Sequence, residues 1–171
     1  MEISLLTPKC TLVPSHFFDP SSCADSLAEV AGLESGDKVE YIRIPQYDAV
    51  LIYATYEAVG TAISKENISG GEKPLPEMYF ILRDLPSCTE YNKVLCSWQD
   101  GYLFLAIAQG KTLLLANVYK APDFTTAEYY IFLSMKSLQL NPEVSTICLR
   151  SSVGLDEEMS LYRYFKAVEV L

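Results

Sequence analysis

The sequence predicts a mixed α/β protein, α+β in the way its strands mix, built around a three-strand antiparallel meander followed by helix, strand, helix. Three observations carry this. Residues 93–98, 102–108 and 112–119 are apolar, β-favouring runs joined by the short links Asp100-Gly101 and Gly110-Lys111. Residues 126–140 then repeat apolar side chains at helical spacing. Residues 146–149 return as a strand, so the helix is a crossover. No catalytic motif emerges from this stretch.

Taken in order, residues 3–6 and 10–13 are apolar runs separated by Thr7-Pro8, one bent strand or two short ones, with Pro8 suiting an edge or a bulge. Asp19-Pro20-Ser21-Ser22 introduces a helix. Ser22 is its expected cap with Asp25 three residues on. Ala24, Leu27, Ala28 and Ala31 form the expected apolar stripe, and Gly32 a left-handed stop. Residues 38–44 alternate as a strand, Pro45-Gln46-Tyr47-Asp48 turn the chain, and residues 49–54 are apolar throughout, as in a sheet interior.

Thr55 is an expected cap for a helix to about Lys65, and residues 67–73, with Gly70-Gly71, read as a flexible loop. Residues 74–85 read as a helix with Pro76 at its first position, a strand being the competing reading. In the meander, Asp100-Gly101 and Gln109-Gly110 are hairpin signals, because such turns want positive φ. Thr125 and Glu128 suggest a capping box for the crossover helix. That helix is apolar around most of its circumference, as if covered on two sides. Asn141-Pro142 ends it. Asp156-Glu157-Glu158 opens a last helix with negative charge at its positive end, and Leu161, Phe165 and Val168 form its expected buried stripe.

The 171 residues are half hydrophobic and one fifth charged, ordinary for a globular protein. A chain of this size buries roughly two thirds of its unfolded surface, enough for a core without disulfides or metals. The net charge of −9 and the lack of a Lys/Arg cluster argue against nucleic acid and against anionic membrane surfaces as partners. No apolar run approaches the ~20 residues that span a bilayer, and no signal peptide is expected. The five cysteines, Cys10, Cys23, Cys88, Cys96 and Cys148, have no zinc or redox spacing. Cys96 and Cys148 sit in expected strands as apolar filler, which favours a reducing, cytoplasmic compartment.

Meander, helix, strand, helix is the core order of the ribonuclease-H-like fold, which actin-like ATPases use twice. Lys9-Cys10-Thr11-Leu12-Val13-Pro14, Leu115-Ala116-Asn117-Val118-Tyr119, Thr126-Ala127-Glu128-Tyr129-Tyr130-Ile131, Leu138-Gln139-Leu140-Asn141-Pro142-Glu143 and Leu161-Tyr162-Arg163-Tyr164-Phe165 resemble an uncharacterised bacterial family, domain of unknown function 3822. The resemblance covers most of the chain and implies an actin-like ATPase fold. It implies a first lobe over residues 1–75, a connecting helix and loop over 76–92, and a complete second ribonuclease-H-like lobe over 93–171. Residue 1 falls near the fourth strand of the first lobe, so that lobe is expected to be truncated, in a fragment of a longer protein or a shortened family member. Strand edges near residues 3–13 and 49–54 would then be open to association.

In such folds glycine-rich turns wrap nucleotide phosphates, and an acid on the first strand organises Mg²⁺, so the resemblance implies ATP and Mg²⁺ as cofactors. The corresponding turn is Ser97-Trp98-Gln99-Asp100-Gly101, with Asp100 and Gly101 its candidates, and the corresponding loop is Arg150-Ser151-Ser152-Val153-Gly154 after the fourth strand, with Ser151, Ser152 and Gly154 its candidates. They are a thin set. The hairpin explains its single glycine, the preceding strand has no acid, and a polar connection explains the serines. No bound cofactor is therefore expected.

Other groups have simpler readings too. His16 is the only histidine, and Ser15 beside it is no dyad, since neighbours in a strand point to opposite faces. Asp156, Glu157 and Glu158 are helix-dipole partners rather than metal ligands. Gly70-Gly71 lacks the Lys-Ser/Thr of a phosphate loop. Tyr129, Tyr130, Tyr162 and Tyr164 fit a core with hydroxyls at its rim, or an aromatic partner surface. The expected function is a non-catalytic interaction or scaffold module, with a protein partner or a second copy of itself. The alternative is a divergent ATPase whose site needs upstream residues or another subunit.

Overall fold

Thr7-Pro8 divides the N-terminal apolar run into two strands. In the computed structural model, which describes residues 2–56 and 73–171, β1 is Ser4–Leu5 and β2 is Cys10–Pro14. A 3-10 turn, Pro20–Ser22, leads into helix α1, Cys23–Ala28. Strand β3 is Asp37–Ile44 and β4 is Ala49–Tyr56. The polypeptide forms two contact-dense units, Met1–Phe80 and Ile81–Leu171.

In the first unit β4 is the central strand of an antiparallel sheet ordered β2-β4-β3. Its residues Val50 to Ala54 are at most 2% exposed, as an uninterrupted apolar run requires. Cys23 and Leu27 of α1 pack on Ile52 and Ala54. Val39, Phe18 and Ala31 close that cluster, and the Arg43 guanidinium lies 5.7 Å from the Phe18 ring centre. The turn at Pro45–Tyr47 ends on Asp48 in the left-handed region, where aspartate is tolerated better than most residues. The short strand β5, Leu75–Pro76, pairs in parallel with β1. Helix α2, Glu77–Asp84, follows, and the boundary between the two units falls within it.

The second unit holds the meander. Strands β6, Asn92–Gln99, β7, Tyr102–Gln109, and β8, Thr112–Lys120, are successive antiparallel neighbours. Asp100 and Gly101 both have positive φ, as the tight turn demands. The second turn centres on Gly110-Lys111, Gly110 having positive φ. Helix α3 is Phe124–Ser137, β9 is Thr146–Leu149, α4 is Leu155–Tyr162 and β10 is Ala167–Val170. The sheet order is β10-β9-β6-β7-β8, with β9 parallel to both β6 and β10. Val94, Cys96, Leu103, Leu105, Ile107, Ile147 and Leu149 share one core with Ala127, Ile131 and Met135 of α3 and Leu161 of α4. The opposite faces of β6 and β7, with Leu95, Phe104 and Ala106, are also fully buried.

Several local expectations are corrected. Asp19, not Ser22, caps the first helical segment, its carboxylate accepting from the Ser21 N–H at 2.9 Å. Ala24 and Ala28 are exposed, and Gly32 is not left-handed, because α1 ends before it and turns in through Ala31. Thr55 lies within β4 opposite Lys38, and Pro76 precedes α2 in β5. The helix expected after Thr55, Asn67 and Gly70-Gly71 lie outside the described residues.

Asp123 caps α3 by accepting from the Thr126 N–H at 2.8 Å, so the Thr125–Glu128 box does not form, and Glu128 Oε1 has no hydrogen-bond partner. Only one side of α3 is buried: Tyr129 is 59% and Leu133 46% exposed. Ser15 and His16 belong to a 3-10 turn, not a strand. Phe165 and Val168 are buried, yet they lie beyond α4. Val168 belongs to β10, an edge strand missed because its spacing from Leu161 imitates a helix.

Candidate functional site

Because β6 and β9 run in parallel, their C-terminal ends meet at one end of the sheet, where the residues after β9 come beside the end of β6. Cys96 pairs with Leu149, and the Arg150 N–H extends the pairing to the Cys96 carbonyl at 2.9 Å. Ser151 therefore follows directly beside Ser97, their hydroxyls 3.2 Å apart. Gln99, two residues along β6 on the same face, donates from Nε2 to Ser97 Oγ at 2.6 Å. The result is a neutral chain of amide and two hydroxyls, with Ser97 fully buried. Sequence reasoning placed Ser97 and Gln99 in the candidate turn without singling them out. A serine inside an apolar strand, with an amide two residues on, was the signal available.

Asp100 and Gly101 are placed differently. The Gly101 carbonyl accepts the Ala121 N–H at 2.8 Å, and a Cβ on Gly101 would lie 3.9 Å from the Pro122 backbone. Trp98 adds a further bond, its indole N–H donating to the Ala121 carbonyl at 2.9 Å. The hairpin is thus fastened to the connection between β8 and α3. The turn's carbonyl and flank are engaged by the protein's own chain.

Ser152 and Gly154 are exposed, and Gly154 is the N-cap of α4. A helix N-terminus attracts anions. Here the Glu157 carboxylate folds back over Gly154, and Asp156, Glu157 and Glu158 all lie in the first turn. The helix supplies its own negative charge, which a phosphate would have to displace or endure. Behind the loop, Arg150 Nε pairs with Asp84 at 3.2 Å, and Arg83 pairs with the same carboxylate at 2.7 Å. The structure thus brings Ser151 to Ser97, sets Asp100 and Gly101 in the hairpin fastened to Ala121, and leaves Ser152 and Gly154 exposed before α4. Among the described residues no group of three or more His, Cys, Asp or Glu side chains is placed to hold a metal. Nor is any helix among them long and apolar enough to cross a membrane.

A meander, a crossover helix and parallel strands in this order define an actin-like fold. A solved structure from Bacteroides thetaiotaomicron VPI-5482, described as a protein with actin-like ATPase fold and unknown function, superposes with a TM-score of 0.79 at 17% identity. The match covers 99% of this chain and 67% of that one. At that identity the likeness speaks for the fold alone. The model of a family described as protein of unknown function (DUF3822) matches residues 2–168, and the chain belongs to that family. No curated protein matches the sequence.

Proposed function

We propose that the protein is a non-catalytic interaction or scaffold module built on an actin-like fold, with residues 93–171 forming its complete lobe. The observation that carries this reading is the Gly101 carbonyl bonded to the Ala121 N–H, which fastens the first hairpin to the protein's own chain. The carboxylate over Gly154 supports it at the other candidate loop. The helical face of the second unit supplies a surface for a partner. Tyr129 and Leu133 stand one turn apart on α3, and Tyr164, half exposed, packs edge-on against Phe132. Exposed aromatics of this kind are enriched where proteins meet. The partner is another protein or a second copy of the chain, with nucleic acid disfavoured by the net charge of −9.

Titration of the purified protein with a fluorescent ATP analogue and Mg²⁺ tests this. Absent or millimolar binding, with no turnover, is the expected result; micromolar binding overturns it. The second reading, a divergent ATP-binding protein, is favoured by the Gln99–Ser97–Ser151 chain at the ends of β6 and β9. In that case Ser97→Ala and Ser151→Ala would weaken the binding that the titration detects.

A further inference from the structure

Helix α4 is short, and its apolar residues do not all turn inward. Of its eight residues only Leu161 is buried. Leu155, Met159 and Tyr162 follow one another at spacings of four and three, so they stand in a row on a single face. All three are between 48% and 75% exposed. A lone exposed leucine needs no account, but an aligned row of large apolar side chains does. Tyr162 is already held in place, its hydroxyl donating to the Val168 carbonyl of the edge strand β10 at 3.3 Å. A ring fixed in advance loses little freedom when a partner covers it.

The charges beside the row select the partner. Asp156 lies in the first turn of α4, and Arg163 is its C-cap, still with helical φ and ψ. At 3.6 residues per turn the two lie within roughly 20° of each other around the axis, on one flank of the apolar row, and about 10 Å apart along it. They are too distant to pair with each other. Both are exposed, and neither has an ion-pair partner among the described residues. A helix acidic at its start and basic at its end is complementary to its own reverse. When two copies pack antiparallel about a two-fold axis, the same flank of each faces the other. Asp156 of one copy then meets Arg163 of the second, and symmetry repeats the contact. In that register Met159 lies beside the axis against its own counterpart, and Leu155 packs towards Tyr162 of the second copy. A parallel pairing would instead bring two acidic first turns, Asp156, Glu157 and Glu158, together.

We propose that the exposed face of α4 is a homodimer interface, in which two copies pair antiparallel through Leu155, Met159 and Tyr162 and through reciprocal Asp156–Arg163 contacts. This rests on the reading of the chain as an interaction module and names its partner, a second copy of the same chain. One helix pair is a small contact, in the class of weak and transient interfaces, so the dimer forms reversibly with concentration.

Sedimentation equilibrium of the full chain over a wide concentration range tests the interface. The average mass is expected to rise from 19.1 kDa towards twice that value as concentration increases. Met159→Glu sets like charges at the axis and should abolish the rise. Asp156→Arg and Arg163→Glu should each weaken dimerisation about tenfold, because two attractive pairs become repulsive. Mixed in equal amounts, those two variants should associate again, since every contact then joins opposite charges. That recovery depends on the antiparallel register. A mass constant at 19.1 kDa, dimerisation indifferent to these variants, or a mixture of folded variants that stays monomeric would overturn the proposal. So would a chain that remains monomeric and uses the α4 face for a different protein. Should a charge variant fail to fold, the wild type and Met159→Glu still decide. The underlying reading fails separately: micromolar binding of the fluorescent ATP analogue overturns it whatever the mass, while a monomer that binds no nucleotide overturns the α4 dimer alone.

Discussion

The indole N–H of Trp98 donates over 2.9 Å to the carbonyl of Ala121, a residue with no solvent exposure. One side chain at the end of β6 thereby ties the first hairpin to the entry of α3. Trp98→Phe removes the donor and leaves a buried carbonyl without it. A loss of about 1–3 kcal/mol is expected, seen as a lower urea midpoint at unchanged slope.

The two glycines of the candidate loops should respond differently to alanine. Gly101 has φ +74, so Gly101→Ala is strained and should cost about 1–2 kcal/mol. Gly154 has an ordinary φ of −67, and an added Cβ meets only the movable end of Glu157. Gly154→Ala should stay within about 0.5 kcal/mol of wild type. Chemical denaturation of both variants compares them directly, and an equal loss at both sites would contradict the turn geometry.

The one-sided burial of α3 is tested by a pair of truncations. Ile131 has no exposure and Leu133 is 46% exposed. Ile131→Ala should cost about 2–5 kcal/mol by opening a cavity under the helix, and Leu133→Ala should cost far less. Loss of a protein partner on Leu133→Ala, with stability retained, would mark the exposed face as the interaction surface.

Acid should weaken the first unit through Asp37. Lys9 donates to its carboxylate at 2.6 Å and the Glu34 N–H adds a second bond, which together hold Asp37 below the usual carboxylate range. Glu40 is also lowered: burial would raise it, but the Lys73 ammonium and the Tyr53 hydroxyl outweigh that. A carboxyl depressed in the folded state contributes stability that is complete above its unfolded value, about 3.9 for aspartate, and is lost as pH falls through the folded value. The urea midpoint should therefore decline as pH drops below about 4. Asp37→Asn should lower the midpoint at neutral pH and flatten that decline; an unchanged pH profile would remove Asp37 from the account.

The long elements were legible because each carries its own period. The meander, α3 and the apolar β4 are written as runs whose spacing matches the pleat or the helical turn, and Asp100-Gly101 announces its turn through the φ it demands. Caps were less legible. Asp123 and Thr125 are both acceptable cap residues, and the aspartate, the better of the two, takes the position. Strand β10 was hidden because four residues at an edge gain their structure from pairing with β9, not from their own pattern.

The sequence by itself determined the order of the long strands and helices, the acidic charge, the family resemblance and the poverty of glycine in the would-be nucleotide turns. The tertiary structure alone decided which distant residues meet. Parallel pairing of β6 with β9 set Ser97 beside Ser151. Local spacing encodes periodicity, but the approach of residues 54 positions apart depends on sheet order and register, which no short stretch of chain contains.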